Sequence, residues 1–365
     1  MDNTSQSGNP KQAKKYRYTS PEYHTLDGHF FWCAVFGAVY YFSHHWMSAV
    51  CLGIAVLALL WRLFFGLSKD YEPSEKEYPI KVPEDMKKEL LDLIAKEVPG
   101  PSGEALARLV RPCIRVITKP MLEEDLPVGV SKIGGLPDLP KEVAWPFVKK
   151  EEDLCQFVGQ FNLADVRPFD EESLLPAKGM LYFFVHVPWL TAKVLYFDVP
   201  VEDLMRRKEP EKLEMPLYEE CALEFRQEYR VPDFNSNVVA LLKKEKGGFV
   251  FAHDKNGIEK YFDRVDDICN TSRYSPDHHF LGSYRSIEGS QGSMIIGLDV
   301  PEDKKISDMS DAELRSAQKS HLLFQLDSDS NPNMILGDMW RYCFEIKTDD
   351  LKNACFDKVS FMLES

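Results

Sequence analysis

The densest block of apolar residues lies near the start of the chain. From Phe30 to Leu67 it reads FFWCAVFGAVYYF, then Ser43-His44-His45, then WMSAVCLGIAVLALLWRLFFGL, with Arg62 the one formally charged side chain. A single helix of that length would be about 57 Å long, roughly twice the ~30 Å hydrocarbon core of a bilayer. Two spans broken at the Ser-His-His step fit instead, over about Leu26–Phe42 and Trp46–Leu67. Trp32, Tyr40, Tyr41, Trp46 and Trp61 stand near the expected ends, where amphipathic rings favour the headgroup level, and Arg62 is placed to snorkel. The pattern predicts a transmembrane helical hairpin within residues 29–67. Lys11, Lys14, Lys15 and Arg17 precede it, and Lys69 follows, so the positive-inside bias puts both flanks in the cytosol. The expectation is an integral membrane protein that contacts the lipid bilayer through residues 29–67 and carries a cytosolic C-terminal domain. A single span at Trp46–Leu67, with the domain on the far side, is the competing reading.

Residues 1–28 are polar and expected to be disordered. Residues 68–83, with three prolines among acids, read as an extended linker. A helix is predicted from Pro83, because proline suits a first turn and Met86, Leu90, Leu93, Ile94 and Glu97 keep helical spacing. Val98-Pro99-Gly100-Pro101 ends it, and a short helix follows from Ser102 to about Leu109. Strand-length apolar runs dominate thereafter, at Cys113–Thr118, Phe157–Leu163, Met180–Val187, Lys193–Val199, Phe249–Phe251, Met294–Leu298, Leu322–Leu326, Trp340–Ile346 and Lys358–Leu363. Cys221–Val231 alternates apolar with charged residues, as a half-exposed antiparallel strand does. Helices are predicted at about Ile258–Cys269 and Ser310–Ser320, the latter opening on the capping box Ser310-Asp311-Ala312-Glu313. Residues 157–199 and 322–363 share a strand, acidic turn, strand, strand order. The predicted fold is therefore an α+β domain over 84–365, with a mixed or antiparallel sheet and an internal duplication, preceded by the transmembrane hairpin.

Charge narrows the function. The chain of 365 residues has 44 Lys and Arg against 58 Asp and Glu, a net −14. Residues 1–69 carry six basic and three acidic side chains, so the remainder holds −17. Such an acidic domain lacks the basic surface that nucleic-acid binding needs, so no nucleic-acid partner is expected; a basic protein surface is. The eight cysteines are scattered, without a C-x-x-C pair, which argues against a zinc site or disulfide framework. No Walker loop, dinucleotide fingerprint, H-E-x-x-H or G-x-S-x-G elbow occurs.

Three constellations carry candidate chemistry. Asp327-Ser328-Asp329-Ser330-Asn331 with Asp338 places oxygens at positions 1, 3, 5 and 12 of a loop, a partial imitation of a calcium site. Pro332 stands where the turn glycine belongs, and an acidic solvated turn is the competing reading. Asp277-His278-His279, with His253, offers acid/base or ligand groups, although neighbouring residues of a strand face opposite ways. The loop Ser131-Lys132-Ile133-Gly134-Gly135-Leu136-Pro137 through Trp145-Pro146 combines glycines that admit close backbone approach with a large aromatic. The candidate ligand-binding residues are Gly134, Gly135, Trp145, His279 and Trp340; the candidate metal ligands are Asp327, Asp329 and Asp338. No catalytic residue is assigned, and calcium is the one cofactor considered.

These same segments resemble a known family. SKIGGLPDLPKEVAWP (131–146), FVGQFNLADV (157–166), LPAKGMLYFFV (175–185), HHFLG (278–282), LLFQLDSD (322–329) and GDMWRYCFEI (337–346) are similar to the YwqG-like domain of unknown function. The resemblance covers roughly residues 84–365. It implies a single α+β domain with an internal duplication and no established reaction or cofactor. Relatives found beside toxin systems suit a protein-binding or immunity role. The function expected of this chain is accordingly that of a protein-binding or adaptor module, with a metal-dependent binder or enzyme at the Asp327/Asp329/Asp338 turn as the alternative.

Overall fold

A computed structural model describes residues 81–122, 125–150, 153–232, 236–246, 257–269, 276–284, 310, 312, 319–337 and 340–364. All of them belong to the unit Pro79–Ser365. The expected hairpin at 29–67, the strands at Phe249–Phe251 and Met294–Leu298 and most of the helix at Ser310–Ser320 lie outside the described residues.

Two helices open the described chain, α1 (Pro83–Glu97) and α2 (Pro101–Ala107). Each has proline in its first turn, and α1 buries Met86, Leu90, Leu93, Ile94 and Glu97. Strands follow: β1 (Arg111–Pro120), β2 (Lys132–Ile133), β3 (Asp138–Pro140), β4 (Gln156–Asn162), β5 (Met180–His186), β6 (Thr191–Phe197), β7 (Leu204–Arg206) and β8 (Cys221–Arg230). A single helical turn, α3 (Leu163–Val166), leaves β4, capped by the Asn162 side chain, which accepts from Ala164 N–H. Beyond β8 come α4 (Asn237–Lys246), α5 (Gly257–Cys269), β9 (His279–Phe280), β10 (Ser320–Asp327), β11 (Arg341–Lys347), α6 (Thr348–Lys352) and β12 (Ser360–Glu364).

Ten strands form one sheet in the order β12-β11-β10-β9-β1-β8-β2-β4-β5-β6, and β3 pairs separately with β7. Every neighbouring pair is antiparallel. The sheet curls until its two edge strands, β12 and β6, come side by side. Ring contacts across the interior follow from that curl. Phe161 of β4 lies 4.7 Å from Phe280 of β9 and 5.0 Å from Phe324 of β10, and Phe183 of β5 lies 4.8 Å from Phe344 of β11, centroid to centroid. These strands are not neighbours in the sheet, so the rings meet only because the sheet wraps round them.

The α+β expectation is thereby corrected to a nearly closed, barrel-like antiparallel sheet with few helices. The physical reason is that a sheet rolled on itself buries its inner face against itself and needs no helical layer to cover it. The helices serve a smaller purpose: α1, α2, α4 and α5 build a second apolar cluster with Tyr229 and Val231 at the end of β8. The stretches 157–199 and 322–363 become two three-stranded meanders at opposite ends of the strand order. Each carries a register shift in its first strand, between Phe157 and Gly159 and between Leu322 and Phe324. The expected membrane location is corrected as well. Among the described residues no helix is long and apolar enough to cross a membrane, and the stretch behind that expectation lies outside them.

Candidate functional site

The short strand β9 positions the main polar cluster. It is wedged between β1 and β10, with Phe280 opposite Ile114 and Phe324, and His279 opposite Arg115 and Gln325. Strand alternation sends the first set into the Phe-lined interior and the second to the outer face. Arg115 interrupts the otherwise apolar run of β1, and it is buried. Its guanidinium donates to Asp277 Oδ1 at 2.6 Å, and Arg230 of β8 donates to the same oxygen at 2.9 Å. Glu228 forms an ion pair with Arg230, with Oε2 2.9 Å from the guanidinium. Burial pushes the Asp277 carboxyl up, but Arg230 and then Arg115 outweigh it and hold the group well below the usual carboxylate range.

The two histidines part company, as neighbouring strand positions must. His278 turns to the Asp327–Asp329 turn: its Nδ1 accepts from Asp327 N–H at 3.0 Å, and its Nε2 lies 3.0 Å from Asp329 Oδ2. Thr118 also donates to that Asp329 oxygen, at 2.5 Å, while Asn331 N–H bonds Oδ1 at 2.8 Å. Burial raises Asp329, yet the hydrogen bonds from His278, Thr118 and Asn331 N–H leave it below its ordinary value. Asp327 Oδ1 pairs with Arg341 Nε at 3.1 Å, and its Oδ2 accepts from Asp277 N–H at 3.2 Å.

The carboxylates of the calcium-like turn are therefore engaged by protein donors. Asp338 lies outside the described residues, as does His253. No group of three or more His, Cys, Asp or Glu side chains is placed to hold a metal ion, among the described residues. A cation at this turn would have to compete with His278, Thr118, Asn331 and Arg341 for the same oxygens.

Gly134 and Gly135 make a backbone seam. Both have positive φ, 72° and 64°, and their N–H groups bond Val158 O and Tyr218 O at 2.9 Å. Glu219 N–H in turn reaches Pro332 O at 2.8 Å, so this segment joins the glycine turn to the 327–334 turn. Trp145 stands elsewhere, its indole N–H donating to Cys155 O at 2.7 Å and its ring edge-on to Phe184 at 5.8 Å. Trp340 packs against the inner core and covers Gly337, where a methyl group would come 2.3 Å from the indole. Gly134 and Gly135 thus share one seam, while Trp145, His279 and Trp340 stand in other structural contacts.

Sequence reasoning passed over two features. Asp138 is fully buried and accepts from Gly129 N–H at 2.9 Å, Gln160 at 2.7 Å and Arg206 Nε at 2.9 Å. Its signal was an acid between Leu and Pro pairs in a loop otherwise apolar. The other is an apolar tip. Trp189 and Leu190, at the turn between β5 and β6, are 49% and 60% exposed, and Phe147 of the neighbouring hairpin is 41% exposed. Lys149 lies over the Trp189 ring, 3.3 Å from its centroid, joining the two turns.

The class of protein this architecture defines is a barrel-like antiparallel domain braced by buried charge pairs. The chain belongs to the family described as Domain of unknown function (DUF1963), whose model matches residues 131–364. That match spans every strand from β2 to β12. A comparison with curated proteins finds no match.

Proposed function

We propose that this domain is a protein-binding module that docks a partner through the tip formed by Phe147, Trp189 and Leu190. The exposure of these three large apolar side chains, on two turns joined by the Lys149–Trp189 contact, carries the reading. Exposed aromatic and aliphatic groups clustered at one place commonly mark interaction sites, and Trp is enriched among residues that dominate interface energy. Leu190 adds a second sign. It holds φ at 43°, a costly conformation for a bulky residue, and it does so while facing solvent.

Proximity labelling with the full-length chain tests the proposal, comparing wild type with the Trp189→Ser/Leu190→Asp double variant. The expected result is a reproducible set of labelled proteins in wild type that falls several-fold in the variant, with the melting temperature unchanged. An identical labelled set in both would refute docking at this tip.

A further inference from the structure

His278 and His279 are adjacent and buried, yet their partners demand opposite charge states. His278 Nδ1 receives the Asp327 N–H, so that nitrogen carries no proton and the ring is neutral, with its proton on Nε2 facing Asp329. His279 meets only acceptors. Its Nδ1 lies 3.1 Å from Asp277 O and 3.5 Å from Asp277 Oδ1, and its Nε2 lies 3.3 Å from Ser283 O. A carbonyl oxygen cannot donate, so a neutral ring would point one lone pair at another inside the protein.

We propose that His279 is held as an imidazolium and acts as a proton-operated clasp on the turn that follows β9. The ring donates at both ends, to Asp277 O before the strand and Ser283 O after it. Between these points the chain passes through Leu281 at φ 59° and Gly282 at φ 75°, two consecutive left-handed residues. Leucine is strained in that conformation, so the turn needs external support. Loss of the His279 proton breaks one of the two bonds and releases the turn; the clasp is closed in acid and opens as pH rises.

The surroundings favour a cation. Asp277 faces the ring from its own segment, Arg115 from β1 and the neutral Gln325 from β10. Behind them stand Arg230 and Glu228 on β8, and Asp327 and Arg341 on β10 and β11. Those three carboxyl groups balance those three guanidiniums. The Asp277 carboxylate, 3.5 Å from Nδ1, then sets the local sign and favours a cation on the ring.

Nitrogen-15 NMR of the full-length chain, labelled at histidine, tests this without any substitution. At neutral pH His279 should show two protonated ring nitrogens, and His278 one protonated and one bare. A bare nitrogen on His279 at neutral pH overturns the proposal. Amide exchange over residues 281–284, corrected for intrinsic rates, is the second readout. It should accelerate at least tenfold across the pH range in which the His279 signals titrate, and lose that dependence in His279→Gln. Exchange that is independent of His279 titration in wild type also overturns it.

Discussion

Replacing Gly134 by alanine puts a methyl group 2.1 Å from Glu219 O and 2.8 Å from Tyr218 O, both backbone atoms. The Glu219 N–H is anchored to Pro332 O at 2.8 Å, so the obstructing segment has little freedom to retreat. Two costs add. The left-handed φ of 72° penalises a side chain by about 1–2 kcal/mol, and the forced backbone shift by about 1–3 kcal/mol more. Gly100 supplies the control, since its φ is 88° but nothing lies within 4 Å of the added methyl. Gly100→Ala, at φ 88° and ψ −166°, should therefore cost only a conformational part, about 1–3 kcal/mol. Thermal melts and urea titrations of both variants separate the two contributions. At ~2–4 °C per kcal/mol, the forced shift should make Gly134→Ala melt roughly 2–12 °C below Gly100→Ala. Equal melting temperatures would mean that the glycine turn and the 218–219 segment are not held against each other, and the account of Gly134 as a structural seam would fail.

Phe324→Ala should destabilise by about 3–5 kcal/mol, because its ring meets Phe161, Phe183, Phe280 and Phe344, and denaturant unfolding reads the loss. Asp329 titrates below its ordinary value, so it stabilises the fold above the unfolded carboxylate range and loses that contribution as pH falls through its folded value. Asp329→Asn should then be less stable than wild type at pH 7, and the gap should shrink below about pH 4 in acid-unfolding curves. Among the six cysteines of the described residues, only Cys355 is not buried. Mass spectrometry after brief alkylation at pH 8 should find it modified first. Cys155 should stay thiol, since burial pushes it up to about 11, and early labelling there would contradict its packing.

Much of the local structure was legible in the sequence. Proline at the start of α1, with apolar residues at helical spacing, is a local signal, and the helix runs from Pro83 to Glu97 as that signal implies. Apolar runs such as Met180–Val187 became strands for the same kind of reason, since an apolar stretch of that length between turns has few other ways to be buried. Closure was not legible. Whether ten strands lie open under helices or roll until β12 meets β6 depends on contacts between residues far apart in the chain, such as Phe161 with Phe324. No periodicity records that pairing.

The candidate site divides along the same line. Adjacent histidines had to face different ways, and they do, because strand geometry fixes this residue by residue. What each would meet was a tertiary matter. Asp329, read as a metal ligand, is placed by folding beside His278 and Thr118, which share its Oδ2, and Asn331, whose N–H bonds Oδ1. Arg115 and Arg230, unremarkable in sequence, converge on Asp277 because β1, β8 and β9 pair in one register. Residue types and spacing determined which segments would be helix or strand and which side chains could carry charge. Only the closed sheet decided which of those charges would be buried together, because a buried charge is stable only where folding brings its counter-charge within reach.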